Sequence, residues 1–193
     1  MQLYLIRHPR PQVPPGICYG QTDLPLAEPA ETSAAPLRAA LAASRAPSSF
    51  GTLTVVSSPL QRCRLLAEAL DARTQVDTRL MELNFGDWEQ QPWDTIARSE
   101  LDRWAAAPFA YCPPNGESPS EMAARVIAFA AELPSLAGGG DLVVVAHHGP
   151  LRVLAAHLLG LPPSASLRLH FDFARLSCFD LASSGPVLRW HNR

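Results

Sequence analysis

Three short and predominantly apolar runs limit the possible folds of this chain more than any other feature of its sequence. They lie at residues 3–6, 53–56 and 142–146, and polar residues follow each of them. Apolar runs of four or five residues are typical of strands buried on both faces, as in a parallel sheet covered by helices. The segments between the runs carry helical patterns, such as the apolar face at 65–70. This alternation predicts an α/β fold, a three-layer sandwich with a mostly parallel central sheet flanked by helices.

Local signals predict the remaining elements. A helix is expected over 37–43 after Pro36, and Ser58 with Pro59 predicts another helix start, because serine caps helices and proline suits their first turn. Ser118 and Glu121 have capping-box spacing and predict a helix to about residue 133. The turn at 147–150 leads into a helix expected to end at residue 159. Further strands are expected at 75–77, 166–173, 176–181 and 187–191, a long loop at 9–36 and an irregular segment at 83–117.

Composition excludes several classes of protein. Of the 193 residues, 47% are hydrophobic and 18% are charged, so we expect one globular domain over 1–193 with 83–117 as an insertion that covers the site. A net charge of −2 argues against nucleic-acid binding, which needs a dense basic face. No apolar run approaches the ~20 residues of a membrane span, and we expect no signal peptide. The four cysteines are widely spaced, which favours reduced thiols in a cytoplasmic protein.

Charged side chains follow the three strongest predicted strands. Arg7 and His8 follow the first, Arg62 lies shortly after the second, and His147 directly follows the third. Because ligands bind at the carboxyl ends of the strands in such sheets, these side chains are expected to meet at one rim. All 16 basic residues are arginines, and most of them reflect composition alone. Arg7 and Arg62 differ, because guanidinium groups at this rim suit bidentate binding of phosphate.

Four motifs occur in a particular order along the chain. They are Arg-His at 7–8, Ser-Pro-Leu-Gln-Arg at 58–62, Glu-Leu-Asn-Phe-Gly-Asp-Trp-Glu at 82–89 and Val-Val-Ala-His at 144–147. In type and order they resemble the motifs of the histidine phosphatase superfamily, which has the phosphoglycerate-mutase-like fold. The segment Tyr-Gly-Gln-Thr-Asp-Leu-Pro-Leu at 19–26 is further similar to one of the α-ribazole phosphatase branch.

This resemblance implies an enzyme that transfers a phosphoryl group to histidine and then to water. His8 would be the nucleophile, and Arg7 and Arg62 would bind the phosphoryl oxygens and disfavour the imidazolium form of His8. His147 would donate a hydrogen bond to the same group. Glu82 would protonate the leaving oxygen and then activate the water. The resemblance implies no metal and no other cofactor.

Further substrate contacts are expected from the loop between the first two strands. The resemblance implies substrate-binding roles for Gly20, Gln21 and Thr22. Pro9 stands where the family usually has glycine, and proline removes an N–H group that could bind phosphate. We expect the guanidinium of Arg10 to compensate with a new positive contact.

Several activities are compatible with these residues. The leading one is a phosphomonoesterase for a small phosphorylated metabolite, either specific for α-ribazole 5′-phosphate of cobalamin biosynthesis or broad in specificity. A phosphoglycerate mutase-type transferase is an alternative, although the chain is short for one. A metallohydrolase using His147 and His148 is less favoured, because adjacent side chains point in different directions. The last alternative is a catalytically weak relative that binds phosphorylated ligands. Neither nucleic acid nor membrane is an expected partner, and a homodimer is left open.

Overall fold

A six-stranded mixed sheet forms the centre of the molecule, in a computed structural model that describes residues 1–45, 53–71 and 73–193. The strands are β1 Gln2–Arg7, β2 Leu53–Ser57, β3 Gln75–Val76, β4 Asp141–Ala146, β5 Leu176–Ala182 and β6 Gly185–Trp190. Their order across the sheet is β3-β2-β4-β1-β5-β6. The four strands from β3 to β1 pair in parallel, and β5 and β6 add an antiparallel edge. The mostly parallel sheet expected from the sequence is therefore confirmed.

Helices cover both faces of this sheet. The α-helices are α1 Ala30–Ser44, α2 Gln61–Leu70, α3 Arg98–Ala106, α4 Pro119–Ala130, α5 Leu133–Ala137 and α6 His148–Leu158. Short 3₁₀ helices occur at Thr78–Leu80, Gly86–Trp88, Trp93–Thr95 and Pro163–Arg168. Within the described ranges, no helix is long and apolar enough to cross a membrane.

Alternate side chains of β1 belong to different hydrophobic clusters. Leu3 and Leu5 pack in a cluster that includes α4, α5 and α6, whereas Tyr4 and Ile6 pack in one that includes α1 and α2. Successive residues of a strand point to opposite faces, so these two clusters lie on the two sides of the sheet. Every residue of β4 is buried, as its apolar run predicts. The predicted three-layer α/β sandwich is thus confirmed.

The starts of two helices differ from the predictions. α1 begins at Ala30 and contains Pro36, which was expected to precede the helix. Proline removes one helical hydrogen bond, but Pro36 is exposed, so water can bind the carbonyl that is left free. α2 begins at Gln61 with Leu60 at its N-cap, so Ser58 and Pro59 do not cap it. This leaves the Ser58 hydroxyl free for a different contact.

The predictions for two other segments were also wrong. Residues 83–117, expected to be irregular, contain α3 and two of the 3₁₀ helices. Residues 166–173, expected to be a strand, begin inside the 3₁₀ helix Pro163–Arg168 and form no strand. The carbonyl of Ser166 accepts from Nε of Arg152 in α6 at 2.8 Å, a tertiary contact without a local sequence signal. The capping box of Ser118 and Glu121 at the start of α4 is confirmed.

Candidate active site

His8 lies just beyond β1, and its side chain is buried at the carboxyl end of the parallel strands. Its backbone N–H donates to the carbonyl of Ala146 in β4 at 3.0 Å. In the ring, Nδ1 lies 2.6 Å from the carbonyl oxygen of Pro9. Because a carbonyl only accepts, Nδ1 carries the proton and donates, which leaves the lone pair on Nε2. The Pro9 carbonyl therefore leaves Nε2 as the ring nitrogen of His8 with a free lone pair, although Pro9 has no N–H to offer phosphate.

Burial and positive charge keep the His8 ring neutral. Its pKa is held well below the usual value by burial and by the charges of Arg62 and Arg7, although the hydrogen bond to Pro9 opposes this shift. The direction agrees with the expectation that the two arginines disfavour the imidazolium form. A neutral ring is the form of histidine that attacks phosphorus.

Two phenylalanines hold Arg7, the last residue of β1. Its Nη1 donates to the carbonyl of Phe171 at 2.7 Å, and its guanidinium carbon lies 3.7 Å from the ring centroid of Phe173. The Phe173 ring also lies 5.4 Å from the His8 ring, measured between centroids. Phe173 therefore packs against both Arg7 and His8. The sequence did not indicate this role, because residues 166–173 carry none of the motifs and were predicted to be a strand.

Arg62 is fully buried in the first turn of α2, and the loop before α1 orients it. Its Nη1 donates to the carbonyl of Thr22 at 2.8 Å, and its Nη2 donates to the carbonyl of Gly20 at 2.5 Å. The Nε of Arg62 is buried without a hydrogen-bond partner. A fully buried guanidinium with an unsatisfied donor is suited to bind an anion.

His147 directly follows β4 and is fully buried beside His8. The ring centroids of His8 and His147 are 5.0 Å apart. Nε2 of His147 lies 2.8 Å from Oγ of Ser58 and 3.3 Å from Sγ of Cys63. Burial, and then the charge of Arg62, hold the pKa of His147 well below its usual value. The ring is thus a neutral hydrogen-bonding group, and Ser58 orients it instead of capping a helix.

The Glu82 carboxylate lies at the N-terminus of α6. Its Oε1 accepts from the backbone N–H of Leu83 at 2.9 Å, and its Oε2 accepts from that of Gly149 at 3.3 Å. A Cβ at position 149 would overlap Oε1 of Glu82 and lie 3.0 Å from Sδ of Met122. Glycine at position 149 therefore allows the carboxylate to approach the helix end.

Arg125 of α4 fixes the backbone that carries Glu82. Its guanidinium donates to the carbonyl oxygens of Arg79, Met81 and Glu82 at 2.7, 2.6 and 3.0 Å. It also forms an ion pair with Glu117. Arg125 is a positioning residue that the sequence did not indicate, because its partners are backbone atoms of a segment more than 40 residues away.

Gly20, Gln21 and Thr22, expected to bind substrate, belong to the loop that contacts Arg62 and form hydrogen bonds with other protein groups. The carboxylate of Glu89 accepts from the backbone N–H groups of Gln21 at 2.8 Å and Thr22 at 2.5 Å, and also from the Thr22 hydroxyl. The side-chain amide of Gln21 donates to the carbonyl of Glu82 at 3.0 Å. A Cβ on Gly20 would overlap a backbone carbonyl of the 83–117 segment, so glycine permits this close approach. The structure gives these three residues positioning contacts.

A cavity of about 280 Å³ connects the site with the 83–117 segment. Arg7, His8 and Glu82 contribute to its lining, whereas Arg62 and His147 do not. Four aromatic side chains of the 83–117 segment also line it, and we call them the aromatic wall: Phe85, Trp93, Trp104 and Phe109. The rings of Trp93 and Trp104 stack with centroids 5.6 Å apart and an interplanar angle of 11°.

Arg10, expected to add a phosphate contact, lies outside the cavity lining. It is exposed, and its guanidinium carbon lies 5.1 Å from the ring centroid of Phe173. The two adjacent histidines also contact different neighbours, since His147 bonds Ser58 while His148 packs on His170. Among the residues that the structure describes, no group of three or more His, Cys, Asp or Glu side chains could hold a metal ion.

A neutral histidine beside two arginines, one of them fully buried, and a carboxylate suits phosphoryl transfer. The sequence profile of the histidine phosphatase superfamily (branch 1) matches residues 3–193. The chain belongs to this superfamily. The expectation of an enzyme of the phosphatase class is confirmed at the level of the family.

Individual relatives have different names. The adenosylcobalamin/α-ribazole phosphatase of Salmonella typhimurium is 27% identical over 98% of this chain and 95% of its own length. A Yersinia enterocolitica protein named "Probable phosphoglycerate mutase GpmB" is 31% identical over 86% of this chain and 77% of its own. The crystal structure of the α-ribazole phosphatase from Shigella flexneri is similar with a TM-score of 0.86 at 26% identity, covering 100% of this chain and 96% of that one.

Proposed function

We propose that the chain is a metal-independent phosphomonoesterase that works through a phosphohistidine at His8. One observation carries this proposal: the Nδ1–H of His8 is bound to a carbonyl, so the lone pair of its neutral ring is on Nε2. Arg7 and Arg62 supply the positive charge that phosphoryl oxygens require. Residues 1–193 act as one domain in this proposal, and residues 83–117 cover the site.

The reaction has two steps. In the first, Nε2 of His8 forms a bond to phosphorus while the ester P–O bond breaks, and Glu82 gives its proton to the leaving alcohol. In the second, water attacks phosphorus, the P–N bond breaks, and Glu82 takes a proton from the water. Inorganic phosphate leaves, and both His8 and Glu82 return to their starting forms. His147 donates a hydrogen bond to the phosphoryl oxygens during both steps.

We further propose α-ribazole 5′-phosphate as the substrate. The aromatic wall supports this, because stacked indole rings in the cavity favour a leaving group with a flat apolar ring. The names of the Salmonella and Shigella relatives point the same way. We also propose a cytoplasmic location, which the four free cysteines support.

The direct test is to trap the phosphoenzyme. Incubation with a ³²P-labelled phosphomonoester and rapid quenching should give an acid-labile, base-stable label on the protein. The label should be absent from His8→Ala, with a fall in kcat of about 10⁴-fold or more, as for other catalytic nucleophiles. His157→Ala is the matched control, because His157 is exposed on α6. Failure to label the wild-type protein with any phosphomonoester would contradict the proposed mechanism.

A substrate panel tests the second part of the proposal. The values of kcat/KM for α-ribazole 5′-phosphate, 3-phosphoglycerate, sugar phosphates and nucleotides should rank α-ribazole 5′-phosphate first. Equal values across the panel would instead indicate broad specificity. Transfer of the label to a second phosphoglycerate, without release of phosphate, would indicate a mutase. Activity should persist in a chelator, since no metal takes part.

A further inference from the structure

The cavity has a polar part that the phosphoryl chemistry does not use. His148 and Arg152 line the cavity together with Arg7, His8 and Glu82. Both come from α6, where they stand four residues apart and so lie on the same face of the helix. We call His148 and Arg152 the polar pair. The aromatic wall comes from a different part of the chain, so the cavity presents apolar rings and polar groups on separate elements.

His148 has an unsatisfied nitrogen. Its Nε2 is buried without a hydrogen-bond partner, while its ring packs on that of His170 at 4.9 Å between centroids. Burial and the charges of Arg7 and Arg152 lower its pKa to about 3. The imidazole is therefore neutral near pH 7, with one nitrogen that donates and one that accepts. A buried polar nitrogen without a partner is costly unless a ligand satisfies it.

Arg152, four residues further along α6, has hydrogen-bond donors that no protein acceptor in the described residues uses. Its Nε donates to the carbonyl of Ser166, and no carboxylate within the described parts of the chain forms an ion pair with it. Burial lowers its pKa, and the negative charge of Glu82 partly opposes that shift. The guanidinium remains charged, and its Nη groups are available to an oxygen acceptor in the cavity.

We propose that the polar pair binds vicinal hydroxyl groups of the leaving alcohol while the aromatic wall contacts its ring. A hydroxyl oxygen can accept from the guanidinium of Arg152 while a hydroxyl hydrogen is donated to the imidazole of His148. A carboxylate can only accept, so it would match the neutral imidazole less completely. The preferred substrate class is therefore a 5′-phosphate of a ribose that carries a flat ring. This inference rests on the proposed phosphomonoesterase activity and assigns the part of the site that selects the alcohol.

Two commercial nucleotides isolate the diol. Adenosine 5′-phosphate and 2′,3′-dideoxyadenosine 5′-phosphate have the same phosphate and base and differ only in the two hydroxyl groups. We expect the wild-type protein to favour the diol by at least about tenfold in kcat/KM, because a site built to bind hydroxyls disfavours analogues that lack them. His148→Phe and Arg152→Met should each bring this ratio to within about threefold of one. In each variant kcat/KM should fall further for adenosine 5′-phosphate than for the dideoxy nucleotide.

Matched controls separate this effect from general damage. His157→Phe changes an exposed histidine of the same helix, and Arg168→Met changes an exposed arginine outside the cavity lining. Both should keep the wild-type preference for the diol. Dissociation constants of the two nucleotides, measured by calorimetry in His8→Ala, should show the same preference without any turnover.

The outcomes for the two proposals can be distinguished. Equal affinity of His8→Ala for the two nucleotides, or equal losses on both in His148→Phe and Arg152→Met, would overturn the diol subsite. That result leaves phosphoenzyme formation on p-nitrophenyl phosphate unaffected. Absence of a phosphoenzyme on every phosphomonoester, together with a preference for the diol in binding, would overturn the phosphatase proposal while supporting the subsite.

Discussion

The residues proposed for catalysis and the segment proposed to cover the cavity are built in different ways. We call Arg7, His8, Arg62 and His147 the catalytic floor, of which only Arg7 and His8 line the cavity. These residues end or follow strands of the central sheet and are held by backbone carbonyls or buried side chains. The cover is the 83–117 segment, in which α3 has no buried residue and Trp88 packs in a small cluster separate from the main core. In the proposed function, the chemistry therefore depends on residues fixed by the sheet, whereas the choice of alcohol depends on the cover and on α6.

Apart from the loss of His8 itself, the largest effect should come from Gly149, whose backbone N–H donates to Glu82. Gly149→Ala introduces a Cβ that overlaps Oε1 of Glu82, so the carboxylate must move away from the helix end. We expect kcat to fall by about 100-fold, since a misplacement of about 1 Å is enough for that loss. Steady-state kinetics with p-nitrophenyl phosphate would measure it.

Gly160→Ala is the control for the floor. A Cβ at Gly160 meets open space, but its φ of +67° strains any other residue. This variant should lose about 1 kcal/mol of the free energy of unfolding and keep its kcat. If Gly149→Ala kept kcat within about threefold of wild type, the placement of Glu82 at the helix end would have no catalytic importance.

A substitution in the cover should have a smaller effect on kcat/KM, and only for substrates that carry a ring. Trp104→Ala removes one of the two stacked rings of the aromatic wall. For adenosine 5′-phosphate, kcat/KM should fall by about tenfold, because stacking of a base on an aromatic side chain contributes about 1–3 kcal/mol. For glycerol 3-phosphate, which has no ring, kcat/KM should stay within about twofold of wild type.

The control for the cover is Trp190→Ala. Trp190 lies on β6 and packs near Tyr4, and it is not part of the cavity lining. This variant should lower stability without changing the ratio of the two substrates. A loss on both substrates in Trp104→Ala would show that the cover also positions the catalytic floor.

The last effect concerns stability in acid, which should depend on His148 of α6 and not on the cover. The pKa of His148 falls from 6.5 to about 3 on folding, so the unfolded chain binds a proton more readily. Its stabilising contribution is therefore present above pH 6.5 and is lost as the pH falls towards 3. His8 and His147 shift in the same direction. The cover contains no histidine. Hydrogen bonds lower the pKa of Glu89 in spite of its burial, so the contribution of this carboxylate to stability is lost only below pH 4.5.

Urea unfolding at several pH values would measure this dependence. Between pH 6.5 and 4.5, His148→Phe should reduce the slope of the unfolding free energy against pH by at most about 1.4 kcal/mol per pH unit. The exposed His157→Phe should leave the slope unchanged. An unchanged slope in His148→Phe would mean that this imidazole is not buried in a neutral form.

The sequence predicted the floor well because its residues follow strong local patterns. Apolar runs at 3–6 and 142–146 required buried strands, and parallel pairing then brought the ends of these strands together. The same reasoning misassigned Ser58, because serine before proline usually starts a helix, whereas here its hydroxyl bonds His147. It also missed Phe173 and Arg125, whose partners are far away in sequence.

By itself, the sequence determined the α/β alternation, since short buried runs between helical segments suffice to predict it. Chain order then determined which residues end or follow the strands: Arg7, His8, Arg62 and His147. Only the tertiary structure decided which nitrogen of His8 is free, because that depends on the Pro9 carbonyl. It also decided that Gly20, Gln21 and Thr22 position other residues and that Arg10 lies outside the cavity lining. Hydrogen bonds and cavity walls depend on contacts between distant segments, and no local pattern in the chain specifies them.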